Sequence, residues 1–153
     1  MNNAEDQDRA ASAGTRPRNI LVIDDDQGIR ELLRVHLGSA GFTVAIADDA
    51  IIARRMLVGC APDLLVVDID MPQLNGLDFV TALYADPYAR HVPVLFITAN
   101  EALAQQAEAL EGDCLRKPFY KQSLLEAVAR SLDRKTWRNR AFPGDPAQPC
   151  QTP

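Results

Sequence analysis

Five polar side chains stand where apolar runs stop. Ile20-Leu21-Val22-Ile23 gives way to Asp24 and Asp25, Leu64-Leu65-Val66-Val67 to Asp68, Pro93-Val94-Leu95-Phe96-Ile97 to Thr98, and Cys114-Leu115-Arg116 to Lys117. Carboxylates held about 5 Å apart repel by roughly 3 kcal/mol per pair at an effective dielectric near 20, so gathering these acids calls for a cation. An all-oxygen set of acids, water and a backbone carbonyl suits Mg2+, and Lys117 adds compensating charge. Asp68 in that setting is a carboxylate nucleophile able to take up a phosphoryl group as an acyl phosphate. Metal and Lys117 would neutralise the phosphoryl oxygens, in a transfer that rests on positioning and electrostatics and needs no general base. Thr98 could donate its hydroxyl to a phosphoryl oxygen and so couple modification to movement of the loop after its strand.

For that chemistry the five residues must meet, and the elements around them say how. The run Leu64 to Pro72, bounded by Pro62, predicts a central parallel strand buried on both faces. Ile20–Ile23, Phe42–Ala47, Pro93–Ile97 and Cys114–Arg116 predict four more strands. Helical spacing follows each: from Gln27 to the glycines Gly38 and Gly41, from an Asp48-Asp49 cap to Gly59, from Gly76 to the break at Asp86-Pro87, from Glu101 to Glu111, and from Lys121–Ser123 as far as Arg138. Five βα repeats in succession imply right-handed crossovers and a doubly wound α/β sandwich with a parallel sheet. In such sheets ligands bind outside the carboxyl ends of the strands, where all five residues lie. Solvated loop acids paired with a lysine would not make four strand ends agree.

Residues 1–18 are polar and aperiodic and read as a disordered lead-in, 19–138 as the folded domain, and 139–153, with four prolines, as a disordered tail with no output domain behind it. No apolar stretch could span a bilayer and no signal peptide opens the chain, so the expectation is a soluble, cytoplasmic protein without a membrane partner. A net charge of −5 without grouped Lys and Arg argues against direct binding to DNA. Cys60, Cys114 and Cys150 lack metal-binding spacing and are expected as reduced thiols. His36 and His91 have no metal or nucleophile partner at useful spacing, and Trp137 is expected to pack on the domain.

With Asp24-Asp25-Asp26, Pro62–Asp68 with Met71-Pro72 and Gly76, Val92–Thr98-Ala99 and Lys117-Pro118-Phe119 in order, the chain resembles the receiver domain of bacterial two-component response regulators over about Arg18–Leu132. The resemblance implies a flavodoxin-like (βα)5 sandwich with strand order 2-1-3-4-5, like that of the chemotaxis regulators. It implies that Asp68 is the phosphoacceptor, Asp25 a metal ligand with Asp24 its acidic neighbour, and Asp70 a metal ligand through its main-chain carbonyl. Thr98 and Lys117 match the switch hydroxyl and the phosphate-pairing lysine, and Pro118 the cis proline that usually follows it. The expected function is that of a single-domain response regulator. It would accept a phosphoryl group from a histidine kinase or histidine phosphotransfer protein with Mg2+ and signal to a downstream protein by contact. It would catalyse only its own phosphorylation and dephosphorylation; homodimerisation stays open.

Two features depart from the family. Cys114 stands three residues before Lys117, where receivers usually carry an aromatic, and the Thr98–Lys117 segment is short by roughly three residues against the ordinary motif spacing. Cys114 suggests as an alternative a phosphorylation-independent adaptor that keeps the fold. A third reading is a phosphatase like the haloacid dehalogenases, on the strength of Asp68-Ile69-Asp70, Thr98 and Lys117. Against it, Asp24-Asp25 comes too early and no acidic motif follows Lys117.

Overall fold

The computed structural model describes residues 16–87, 92–133, 150 and 152. Among them five strands and five helices alternate: β1 (Asn19–Ile23), α1 (Gln27–Ser39), β2 (Thr43–Ala47), α2 (Ala50–Gly59), β3 (Leu64–Asp68), α3 (Gly76–Ala85), β4 (Val94–Thr98), α4 (Glu101–Ala109), β5 (Asp113–Arg116) and α5 (Lys121–Asp133). Every strand pair is parallel and the order is β2-β1-β3-β4-β5, as expected for a flavodoxin-like sandwich. All residues of β1, β3 and β4 are buried, because the continuous apolar runs are covered by helices on both faces. One face carries a core around Leu33, Leu37, Leu124 and Val128 from α1 and α5. The other packs Ala53, Phe79, Val80 and Ala107 from α2, α3 and α4 on Leu21, Leu65 and Phe96.

Each of the first four helices starts on a side-chain cap, which fixes where the preceding loop stops. Asp26 accepts from Ile29 N at 3.0 Å, Asp49 from Ile52 N at 2.7 Å, Asn75 from Leu77 N at 2.6 Å and Asn100 from Ala102 N at 2.9 Å. The boundaries differ from the sequence reading mainly at ends. β2 starts at Thr43 while Phe42 packs half-buried beneath the sheet, and α4 stops at Ala109, with Leu110 as its C-cap and Glu111 at φ 60° turning the chain. His91, Trp137 and the extension of α5 to Arg138 lie outside the described residues, as do 1–15 of the lead-in.

One expectation is overturned. Cys60 and Cys150 are joined in a disulfide across a sequence separation of 90, and Cys114 is the free thiol. Thiol pairing over such a distance is set by tertiary packing and leaves no local spacing to read. Of the expected tail, Cys150 and Thr152 are described, and both touch the domain: Cys150 is buried and Thr152 Oγ1 accepts a hydrogen bond from Ile46 N at 3.2 Å.

Candidate functional site

Asp24 follows β1, Asp68 ends β3, Thr98 ends β4 and Lys117 follows β5, so four neighbouring strands deliver them to one edge of the sheet. The register makes this concrete. Asp68 pairs with Ile97, Ile69 N donates to Ile97 O at 3.0 Å, and Lys117 N donates to Thr98 O at 2.9 Å. Gly76 lets α3 begin against the end of β3: its N–H donates to Ile69 O at 3.0 Å, and a Cβ there would collide with the Asp68 carbonyl oxygen. The Lys117–Pro118 peptide bond is cis, as the resemblance implied.

Carboxylate oxygens of Asp24, Asp25 and Asp68 lie within 4.8 Å of one another. Asp24 and Asp68 are buried, and Asp25 is exposed at the mouth. Lys117 Nζ donates to Asp24 Oδ2 and to Asp68 Oδ1, both at 3.2 Å. Asp26 N donates to Asp24 Oδ1 at 2.9 Å and Asp70 N to Asp68 Oδ1 at 3.3 Å. One cation for two buried acids is too little. Burial, then the Asp24 charge, push the Asp68 carboxyl up from its ordinary 3.8 to about 6, against the pull of Lys117. Burial also raises Asp24, and the two acids outweigh burial in holding Lys117 above its usual value. Hard oxygen donors on a short span, under-neutralised and open through Asp25, fit a small divalent cation such as Mg2+.

Thr98 is fully buried, and its hydroxyl donates to Asp70 Oδ2 at 2.9 Å while accepting from Asn100 N at 3.0 Å. The sequence reading placed Asp70 here only for its main-chain carbonyl; its carboxylate as the partner of Thr98 was missed, since spacing does not reveal a side-chain direction. Arg30 was missed as well. Placed one turn into α1, it donates from Nη1 to the Asp24 carbonyl oxygen at 2.7 Å, steadying the loop after β1. Beside the acids lies a cleft of about 440 Å³ lined by Asp25, Arg30, Asp49, Met71, Pro72 and Leu74. Cys114 lies outside the acid cluster, on β5, paired in register with Phe96 of β4, and burial raises its thiol. The large ring beside Cys114 on the neighbouring strand belongs to the fully buried Phe96.

The family model for the response regulator receiver domain matches residues 20–129. Response regulator MprA of Mycobacterium ulcerans is 38% identical over 120 residues, covering 76% of this chain and 50% of that protein. MprA of Mycobacterium tuberculosis is 38% identical over 120 residues, covering 76% and 51%. The chain thus spans about half the length of the curated relatives it matches. Among solved structures, the chemotaxis response regulator CheY4 of Vibrio cholerae superposes with a TM-score of 0.71 at 27% identity, over 76% of this chain and 99% of that one. A putative response regulator from Chloroflexus aurantiacus gives 0.74 at 27% identity, over 78% and 100%.

Proposed function

The chain belongs to the response regulator receiver domain family, and we propose that Asp68 accepts a phosphoryl group from a phosphohistidine on a histidine kinase or histidine phosphotransfer protein. The observation that carries this is the pairing of a buried, strand-end Asp68 with Lys117 Nζ at 3.2 Å beside two further acids. In the transfer an ionised Asp68 oxygen attacks phosphorus, the donor P–N bond breaks, and the imidazole leaves with the electron pair. With its carboxyl at about 6, Asp68 is mostly ionised at neutral pH and ready to attack. Lys117 stays charged and follows the charge as it moves from carboxylate to phosphoryl oxygens. Asp24, Asp25, Asp68 and the main-chain carbonyl of Asp70 would hold Mg2+, which when bound supplies neutralising charge at the phosphoryl oxygens. Thr98 turns its hydroxyl from Asp70 to the new phosphoryl group, and the bond to Asn100 N hands that change to the first turn of α4.

In this reading the domain then signals by protein contact in the cytoplasm, with no outside substrate to turn over. The net charge of −5 supports contact with protein in preference to DNA. Among the described residues no helix is long and apolar enough to cross a membrane. Acetyl phosphate with Mg2+ tests the central step: intact mass should rise by one phosphoryl group in the wild type and not in Asp68→Asn, and a chelator should abolish the gain. Absence of uptake by the wild type would leave the phosphorylation-independent adaptor as the better reading.

A further inference from the structure

We infer that Cys60 and Cys150 form a reversible thiol–disulfide site, exchanged with dithiol reductants, that fastens Cys150 and Thr152 against the domain. Cys60 is the C-cap of α2 and half-buried, while Cys150 is only 6% exposed and packs into the core beneath α2. β2 is an outermost strand, so the outward N–H groups along it have no strand partner. One of them, Ile46 N, is taken by Thr152 Oγ1 at 3.2 Å. The segment thus plugs an apolar slot with Cys150 and blunts a sheet edge with Thr152, and the disulfide holds both in place.

The covalent bond decides whether the segment stays. Among the described residues the attachment is one hydrogen bond and one small buried side chain, weak by themselves against the entropy of chain ordering. Cys150 is one small member of a core otherwise built by the strands and helices, in which β1, β3 and β4 are buried over their whole length. Opening the bond therefore releases a strap and leaves the domain folded. The half-buried Cys60 is the accessible partner. A reductant thiolate attacks Cys60 Sγ, the S–S bond breaks and Cys150 leaves as thiolate. The reductant's second thiol then attacks the mixed disulfide and releases Cys60. Two electrons and two protons pass to the cysteine pair, and the reductant ends as a cyclic disulfide.

The test uses the full chain, prepared without reductant and compared before and after dithiothreitol. Iodoacetamide labelling should mark Cys114 alone at first and Cys60 and Cys150 only after reduction, with glutathione disulfide restoring the first pattern. Hydrogen exchange at the Ile46 amide should speed up by at least about tenfold on reduction, and equally in Cys150→Ser without reductant, while β1 and β3 amides stay protected. Labelling of Cys60 and Cys150 in the unreduced protein would overturn the site. Unchanged exchange at Ile46, or loss of protection in β1 and β3, would overturn the strap. None of these measurements reads phosphoryl uptake at Asp68, so either reading can fail without the other.

Discussion

Asp68→Asn in the metal-free protein should raise folding stability at pH 8 by about 3 kcal/mol and leave it unchanged near pH 4. Burial, with the neighbouring Asp24 charge, lifts the Asp68 carboxyl from 3.8 to about 6. That difference is about two units, each worth about 1.4 kcal/mol. Between the two values the folded protein holds a proton that the unfolded chain has lost. Stability therefore falls as pH rises through that window and stays level above it. Asn keeps the shape and an oxygen for Lys117 and the Asp70 N–H, and it never ionises. The attraction of Lys117 is already contained in the value of about 6. Asp24 is raised in the same direction and is coupled to Asp68, so the difference between the two proteins reads the removal of one charge from that pair. Urea unfolding in chelator from pH 4 to 8 reads the effect as a midpoint shift at constant m-value. Equal midpoints at pH 8 would mean that Lys117 fully offsets the burial of two acids; an equal gain at pH 4 and pH 8 would mean that charge is not the cause.

Other perturbations follow from the same geometry. Lys117→Ala leaves Asp24 and Asp68 buried without a cation and should cost about 3–5 kcal/mol at pH 8, less as pH falls toward 5, by the same denaturation assay. Acetyl phosphate should still label that variant slowly, while its downstream response is lost; intact signalling would count against Lys117 as the phosphate partner. Gly76→Ala drives a Cβ into the Asp68 carbonyl and should cost about 2 kcal/mol or more and slow phosphoryl uptake, measured by urea unfolding and intact mass. Thr98→Ala removes bonds to Asp70 and Asn100 and should cost about 1 kcal/mol. Uptake at Asp68 should persist in it, and amide exchange in the first turn of α4 should no longer respond to phosphorylation.

The strand ends were legible because continuous apolar runs broken by acids leave few ways to fold. Ile20–Ile23 and Leu64–Val67 must be buried on both faces, and parallel strands then bring Asp24 and Asp68 to the same edge. Asp49 was equally readable, since an N-cap needs only local chemistry. What stayed hidden depends on contacts between distant residues or on rotamers. Asp70 alternates with Asp68 along the chain, yet nothing in that spacing says that its carboxylate turns to Thr98. Gly76 read as a helix opener, whereas its reason is the carbonyl of Asp68 packed where a side chain would go. The Cys60–Cys150 bond joins residues with no shared motif. At Cys114 the missing aromatic was visible, but the fact that the ring beside it comes from Phe96 depends on β4–β5 register.

The strain at the site and its proposed chemistry are one quantity seen from two sides. A cluster of Asp24, Asp25 and Asp68 with Lys117 as its close cation destabilises the metal-free fold. Any cation that binds the folded site and not the unfolded chain recovers that energy as affinity. A site fully neutralised by protein charges would fold more stably and bind Mg2+ less well. Phosphorylation works against the same balance, because it replaces a carboxylate charge at Asp68 by a phosphoryl dianion on the same edge. The extra charge needs donors, and the neighbouring strand ends in the buried hydroxyl of Thr98, bonded to an acid it can leave. In the proposed mechanism the path from reaction to α4 runs through a change of partner at one hydroxyl, a route in which position 114 takes no part.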